Sequence, residues 1–227
     1  MRGSTGIPQP RTSTYDMKRA GYIIALLILF SVLCKFFPLF HIISLKRAEI
    51  EKNPGVFNAT NFANTFWSEK LLKSFVHATG VKELLFAIRT DPAGAQKKYA
   101  RSLSLGGGYF YYLHGQGRVL SVNDNGIALA IDTGATNAEV VLETGMIFGN
   151  AVRDGTGLLN ASDYPNLEDF NNVSAELNKL VQSRVLPVLR THAQVGSMIN
   201  FVGCAEVDED TTDLNPLQVV PIQADVE

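Results

Sequence analysis

Residues 140–155 read VVLETGMIFGNAVRDG. The run is apolar, β-rich, and broken by glycines at 145 and 149. It ends on adjacent charges, Arg153 and Asp154, which a strand would point to opposite faces. The pattern predicts the central, bent strand of a small β-domain, with the two glycines allowing the bend.

Upstream of this strand the apolar period is two. Residues 106–122, GGGYFYYLHGQGRVLSV, predict one long bent strand or a strand pair, with Gly115 and Gly117 marking the bend. Asn123-Asp124-Asn125-Gly126 is a hairpin turn. Ile127, Leu129 and Ile131 alternate with small residues and give a strand with one buried face. Downstream, residues 155–170 read as a loop. An amphipathic helix follows from Asn171 to about Leu189, with Val173, Leu177, Leu180, Val181, Val185 and Val188 on one stripe and Pro187 kinking or ending it. Strands over 197–207 and 217–226 complete the set, the latter holding Pro221, which suits an edge. The order β-β-β-α-β-β is that of an OB-type barrel.

Residues 58–104 predict a helical segment in front of the barrel at 105–227. Asn58 or Thr60 caps a helix reaching about Ala78, and Gly80 stops it. A second helix covers 81–89. Asp91-Pro92 opens a third, with Asp as cap and Pro at the first helical position. The fold class is therefore α+β: an N-terminal membrane anchor, a helical segment, then an OB-like five-stranded barrel with one helix between strands three and four.

The anchor is read from residues 1–57. Residues 1–20 are polar and close on Lys18-Arg19, a disordered cytoplasmic tail. Gly21–Cys34 is uncharged, and the apolar character continues past Lys35 to Phe40, about the 20 residues a span needs. The basic flank orients the tail to the cytoplasm and the bulk of the chain outward. Residues 21–40 are thus expected to be a transmembrane signal anchor in the inner membrane, single-pass, followed by a linker over 41–57. A cleaved signal peptide is the second reading, and no A-x-A pattern follows the run. A lipoprotein signal is the third. Cys34 ends the apolar run as a lipidated cysteine would, but Leu33 stands where a small residue is expected.

The net charge of −2 conceals an asymmetry. Residues 1–47 hold seven of the 20 basic residues and one of the 22 acidic ones, which leaves residues 48–227 at a net of −8. That balance argues against a nucleic-acid partner, whose phosphates need basic side chains. Two cysteines, Cys34 and Cys204, form no disulfide or zinc pattern.

With those segments assembled, the chain resembles an uncharacterised bacterial family of predicted periplasmic lipoproteins. The likeness is carried by HGQGRVLSV (114–122), GMIFGNAVRDG (145–155), DYPNLEDFNNVSAELNKLV (163–181), and the closing pair GSMINFVGCAEV (196–207) and LQVVPIQADV (217–226); NFANTFWSEKLL (61–72) is similar to the family's start. It covers roughly residues 56–227. The family has no established activity. Its genes commonly lie beside sugar-type ABC importers, so the resemblance implies importer subunits or a periplasmic protein as partners.

Among chemical motifs, Asp132-Thr133-Gly134 after apolar residues looks like the signature of aspartic peptidases. That chemistry needs two carboxylates about 3 Å apart sharing one proton. The Met146-Ile147-Phe148-Gly149 run follows 14 residues after Asp132, leaving no room for a flap. A turn after a strand explains the motif as well. Gly115-x-Gly117 is not a dinucleotide fingerprint, since Leu120 stands where a third glycine is required. The acidic run from Glu206 to Asp213 lacks calcium-loop spacing, and the four histidines are scattered, so no cofactor or metal is expected. Arg153, Asp154, Asn150 and Trp67 are the candidates for binding or interaction. The charged pair either faces a partner or forms a structural salt bridge to the helix over 171–189. Trp67, with Phe62 and Phe66, reads first as helix-to-barrel packing. The resulting expectation is a non-enzymatic, membrane-anchored periplasmic accessory protein, with a peptidase centred on Asp132 as the alternative.

Overall fold

The computed structural model describes residues 57–102, 108–208, 214 and 216–227. The expected tail, anchor and nearly all of the linker, with Cys34, lie outside the described residues. Among the described residues no helix is long and apolar enough to cross a membrane.

Five strands close into a barrel. They are β1 (Gly108–Val122), β2 (Gly126–Ala130), β3 (Val140–Glu143), β4 (Met198–Asp208) and β5 (Leu217–Val226). The order around the barrel is β1-β2-β3-β5-β4, and β4 returns to β1. All neighbours are antiparallel except β3 and β5. Leu113, Val119, Ile127, Leu129, Val140, Leu142, Ile199, Leu217 and Val219 are fully buried within one core cluster. Asn123 sets the first hairpin, its Oδ1 accepting from the backbone N–H of Asn125 and Gly126.

β1 is one unbroken strand. Its glycines serve close approach and do not interrupt it. A Cβ at Gly115 would lie 2.2 Å from Val81 Cγ1, and one at Gly117 would lie 2.9 Å from Ile131 Cδ1. Thr79–Gly80 pairs in parallel with Leu113–His114, which brings the next helix onto the strand at Gly115.

The expected strand over 140–155 is corrected. Only Val140–Glu143 is strand; the chain then leaves the sheet, and α4 (Ala151–Gly155) follows the three helices introduced below. The backbone of the intervening loop is held by other elements. Asn125 O accepts from the N–H of Thr144 and Gly145, and Arg190 Nε donates to Thr144 O at 3.0 Å. Ser174 Oγ and Asn178 Nδ2 both donate to Gly149 O, at 2.9 and 3.0 Å. Gly149 has φ +77°, a conformation open mainly to glycine. Gly155 abuts β4, where an added Cβ would lie 2.6 Å from Cys204 Sγ.

The helices meet their predicted caps. Asn58 caps α1 (Ala59–Phe66), which continues as a π turn (Trp67–Leu71) and a 3-10 turn (Leu72–His77). Next come α2 (Val81–Thr90) and α3 (Pro92–Tyr99), the latter capped by Asp91. The amphipathic helix starts earlier than expected. α5 runs Leu167–Leu180 with Asn166 as cap, passes through a π turn at Val181–Val185, and resumes as α6 (Leu186–His192). Pro187 lacks an N–H and crowds the carbonyl four residues back. The π turn absorbs that conflict and places Pro187 in the first turn of α6. Of the expected stripe, Val173, Leu177, Val181 and Val185 are buried and Leu180 is partly buried, but Val188 is 38% exposed; past the π turn, Leu186 and Leu189 are the buried residues instead.

Pro221 is also corrected. β5 lies between β3 and β4, so it is no edge strand. Pro221 instead faces Gly203 where the register shifts, a bulge that spares the missing donor. Gly203 is tightly enclosed there: a Cβ would lie 2.5 Å from Val219 Cγ1 and 2.6 Å from the Val220 carbonyl. Gly203→Ala is therefore expected to cost about 1–3 kcal/mol by overpacking. A chemical-denaturation curve should show a lower midpoint with an unchanged slope.

Candidate functional site

Asp132 sits on the turn after β2, just over half exposed. Arg89, from the end of α2, reaches it at 3.2 Å and also pairs with Glu139. Glu139 is 8% exposed, and its Oε2 accepts from the backbone N–H of Ile131 and Asp132, both at 2.8 Å. Burial pushes the Glu139 carboxyl up, but the Asp132 N–H, the Arg89 guanidinium and the Ile131 N–H together hold it below its ordinary value. The two carboxylates are thus joined through a guanidinium. Dyad chemistry would need them to share a proton. The arrangement fastens the β2–β3 connection.

Arg153 and Asp154 lie on α4, not at a strand end, and do not point to opposite faces. They pair with one another: Nε to Oδ1 at 2.7 Å and Nη2 to Oδ2 at 2.8 Å. Both residues are at most 5% exposed. Arg153 Nη1 donates to Asn171 Oδ1 on α5 at 2.9 Å, and its guanidinium stacks 3.9 Å over the Phe170 ring. The pair therefore docks α4 against α5 and presents no exposed charge. Beside it, Tyr164 packs against Phe57, Phe62 and Phe170. Asn150 is half-buried, and its backbone N–H donates to Glu206 Oε2 at 3.3 Å. Trp67 is 4% exposed, with Arg184 5.9 Å above its ring. The structure does not bring these four candidates to a shared surface.

Two open concavities lie elsewhere, along the outer face of β1. One cavity, about 420 Å³, lies between the start of α2, β1 and the turn after β2, and includes Lys82, His114, Gln116, Arg118 and Asp132. The other, about 700 Å³, spreads across β1, β4 and β5 beneath Phe75 and Val76. His114, Gly115 and Gln116 border both. The groove thus crosses β1, β4 and β5, away from the strand two and three face that OB barrels commonly use. Sequence reasoning missed it. The signal was His114-x-Gln116-x-Arg118, polar residues at alternate positions of the strand. Among the described residues no His, Cys, Asp and Glu group could hold a metal ion.

A closed five-stranded barrel with a helix between its third and fourth strands is an OB fold. The crystal structure of an OB-fold protein from Thermotoga maritima is similar, with a TM-score of 0.68 and 24% identity over 75% of this chain and 99% of that one. The chain belongs to the family of predicted periplasmic lipoproteins of unknown function (DUF2291), whose model matches residues 23–225. No curated protein matches it.

Two outcomes follow from the buried charges. Arg153→Ala strands Asp154 in the interior and should cost about 3–5 kcal/mol, whereas the double change Arg153→Met, Asp154→Leu should recover most of it; thermal unfolding of the three proteins checks this. Because the folded Glu139 carboxyl titrates below its unfolded value, its contribution is complete above about pH 4.3 and is lost as pH falls through the folded value. Glu139→Gln should therefore flatten the acid limb of a stability–pH curve.

Proposed function

We propose that this protein is a non-enzymatic accessory module, held at the inner membrane through residues 21–40 with its barrel in the periplasm. The barrel uses the groove along β1 to bind a ligand or partner, and it works beside an ABC importer of the sugar type. Membership of a periplasmic lipoprotein family supports the location. The observation that carries the binding role is the groove itself, an open and largely apolar concavity with a few polar side chains on an OB barrel whose candidate catalytic carboxylate is tied up by Arg89. The importer rests on the gene neighbourhood that the family resemblance implies. Leu33 before Cys34 favours the apolar segment over a lipid as the anchor.

Affinity purification of the full chain from detergent-solubilised membranes should retain importer subunits. Recovery of the protein alone, as a stable monomer, would overturn the importer association. The mass of the mature protein should include residues 1–33, and a lipid-modified N-terminal Cys34 would replace the anchor reading.

A further inference from the structure

The floor of the larger cavity is laid out by strand register. Register places Gln116 of β1 opposite Asn200 of β4, and Asn200 opposite Asp225 of β5. The neighbouring row is His114, Val202 and Gln223. Side chains in adjacent strands of one face stand about 4.5–5.5 Å apart. Three primary amides, one carboxylate and one imidazole therefore form a two-row grid. No lysine or arginine lines this cavity.

Each amide offers two donors and an acceptor, and the carboxylate accepts only. Part of that capacity is already used, because Gln223 Nε2 donates to Asp225 Oδ2 at 3.0 Å and Asn200 Nδ2 donates to Glu227 Oε1 at 2.6 Å. These bonds fix two of the amides, and Asn200 Oδ1 accepts no hydrogen bond among the described residues. The side chains of Gln116 and His114 make no hydrogen bond among the described residues. Above the floor, Val76 is 83% exposed and Phe75 is half-buried, an apolar wall along one side.

We infer that this face binds a neutral polyhydroxylated small molecule, a sugar or polyol. Such a ligand carries adjacent hydroxyls that both donate and accept, matching amides and a carboxylate spaced across strands. Its C–H face would lie against Val76 and Phe75. Within the larger cavity, the absence of lysine and arginine and the presence of Asp225 disfavour phosphates and sugar acids; Lys82 and Arg118 belong to the adjoining cavity. Cavity size suits one or two sugar rings. The inference rests on the groove being a binding site and narrows it to one ligand class.

Ligand-observed saturation-transfer NMR on the full chain in detergent tests it, with glucose, galactose, ribose, arabinose, maltose and myo-inositol as probes and glucose 6-phosphate and glucuronate as anionic counterparts. At least one neutral probe should bind, and the anionic forms should bind more weakly. The double variant Gln116→Ala, Asn200→Ala should weaken binding by about tenfold or more, and Val76→Asp should do the same from the wall. Gln116 and Val76 are exposed and Asn200 is half-buried, and an unchanged melting temperature of each variant verifies folding. No binding by any neutral probe, preference for the anionic forms, or binding untouched by either variant would each overturn the inference. Importer subunits recovered without sugar binding would defeat this ligand class while sparing the accessory role; sugar binding without importer subunits would do the reverse.

Discussion

The barrel depends on the pairing of β1. From Gly108 to Arg118 the strand is paired with β4, and from Arg118 onward its other edge takes β2. One strand thus joins both ends of the sheet, and without it no edge would be closed. Its inward glycines let Val81 and Ile131 come close enough to fill the barrel wall. Its outward neighbours, His114 and Gln116, are left on the open face. Packing on one side of the strand and the groove on the other are therefore two consequences of the same alternation.

β3 is only four residues long, so the connections around it carry few ladder bonds of their own. Backbone polar groups in such irregular stretches still need partners. Charged and polar side chains supply them. Glu139 serves the connection before β3, Arg190, Ser174 and Asn178 serve the loop after it, and the Arg153–Asp154 pair fixes α4. α5 and α6 provide most of these donors, which explains why a helix between strands three and four is built into the barrel's integrity. Buried polar side chains here are structural ties. The exposed amides on the sheet are the ones left available to a ligand.

Local signals were legible where local physics decides. Asn58 and Asp91 cap their helices because a side-chain oxygen can satisfy an otherwise unpaired N–H within three residues. The Asn123–Gly126 turn follows from the same short-range bonding. Alternation set out the strands and hence the α+β class and barrel order. The stretch 140–155 misled because its composition is compatible with a strand, while side chains from 25 to 46 residues away take its backbone out of the sheet. Pro221 misled for a related reason: a bulge opposite Gly203 lets proline sit between two strands.

The order of elements and the acidic balance of residues 48–227 were determined by the sequence alone, since each depends on composition or on spacing within a few residues. The groove was decided only by the tertiary structure. Gln116, Asn200, Gln223 and Asp225 come from three strands, and their meeting depends on register across hydrogen-bonded ladders. A slip of one residue would turn each of those side chains to the opposite face, and that register is set by the packing of the whole barrel.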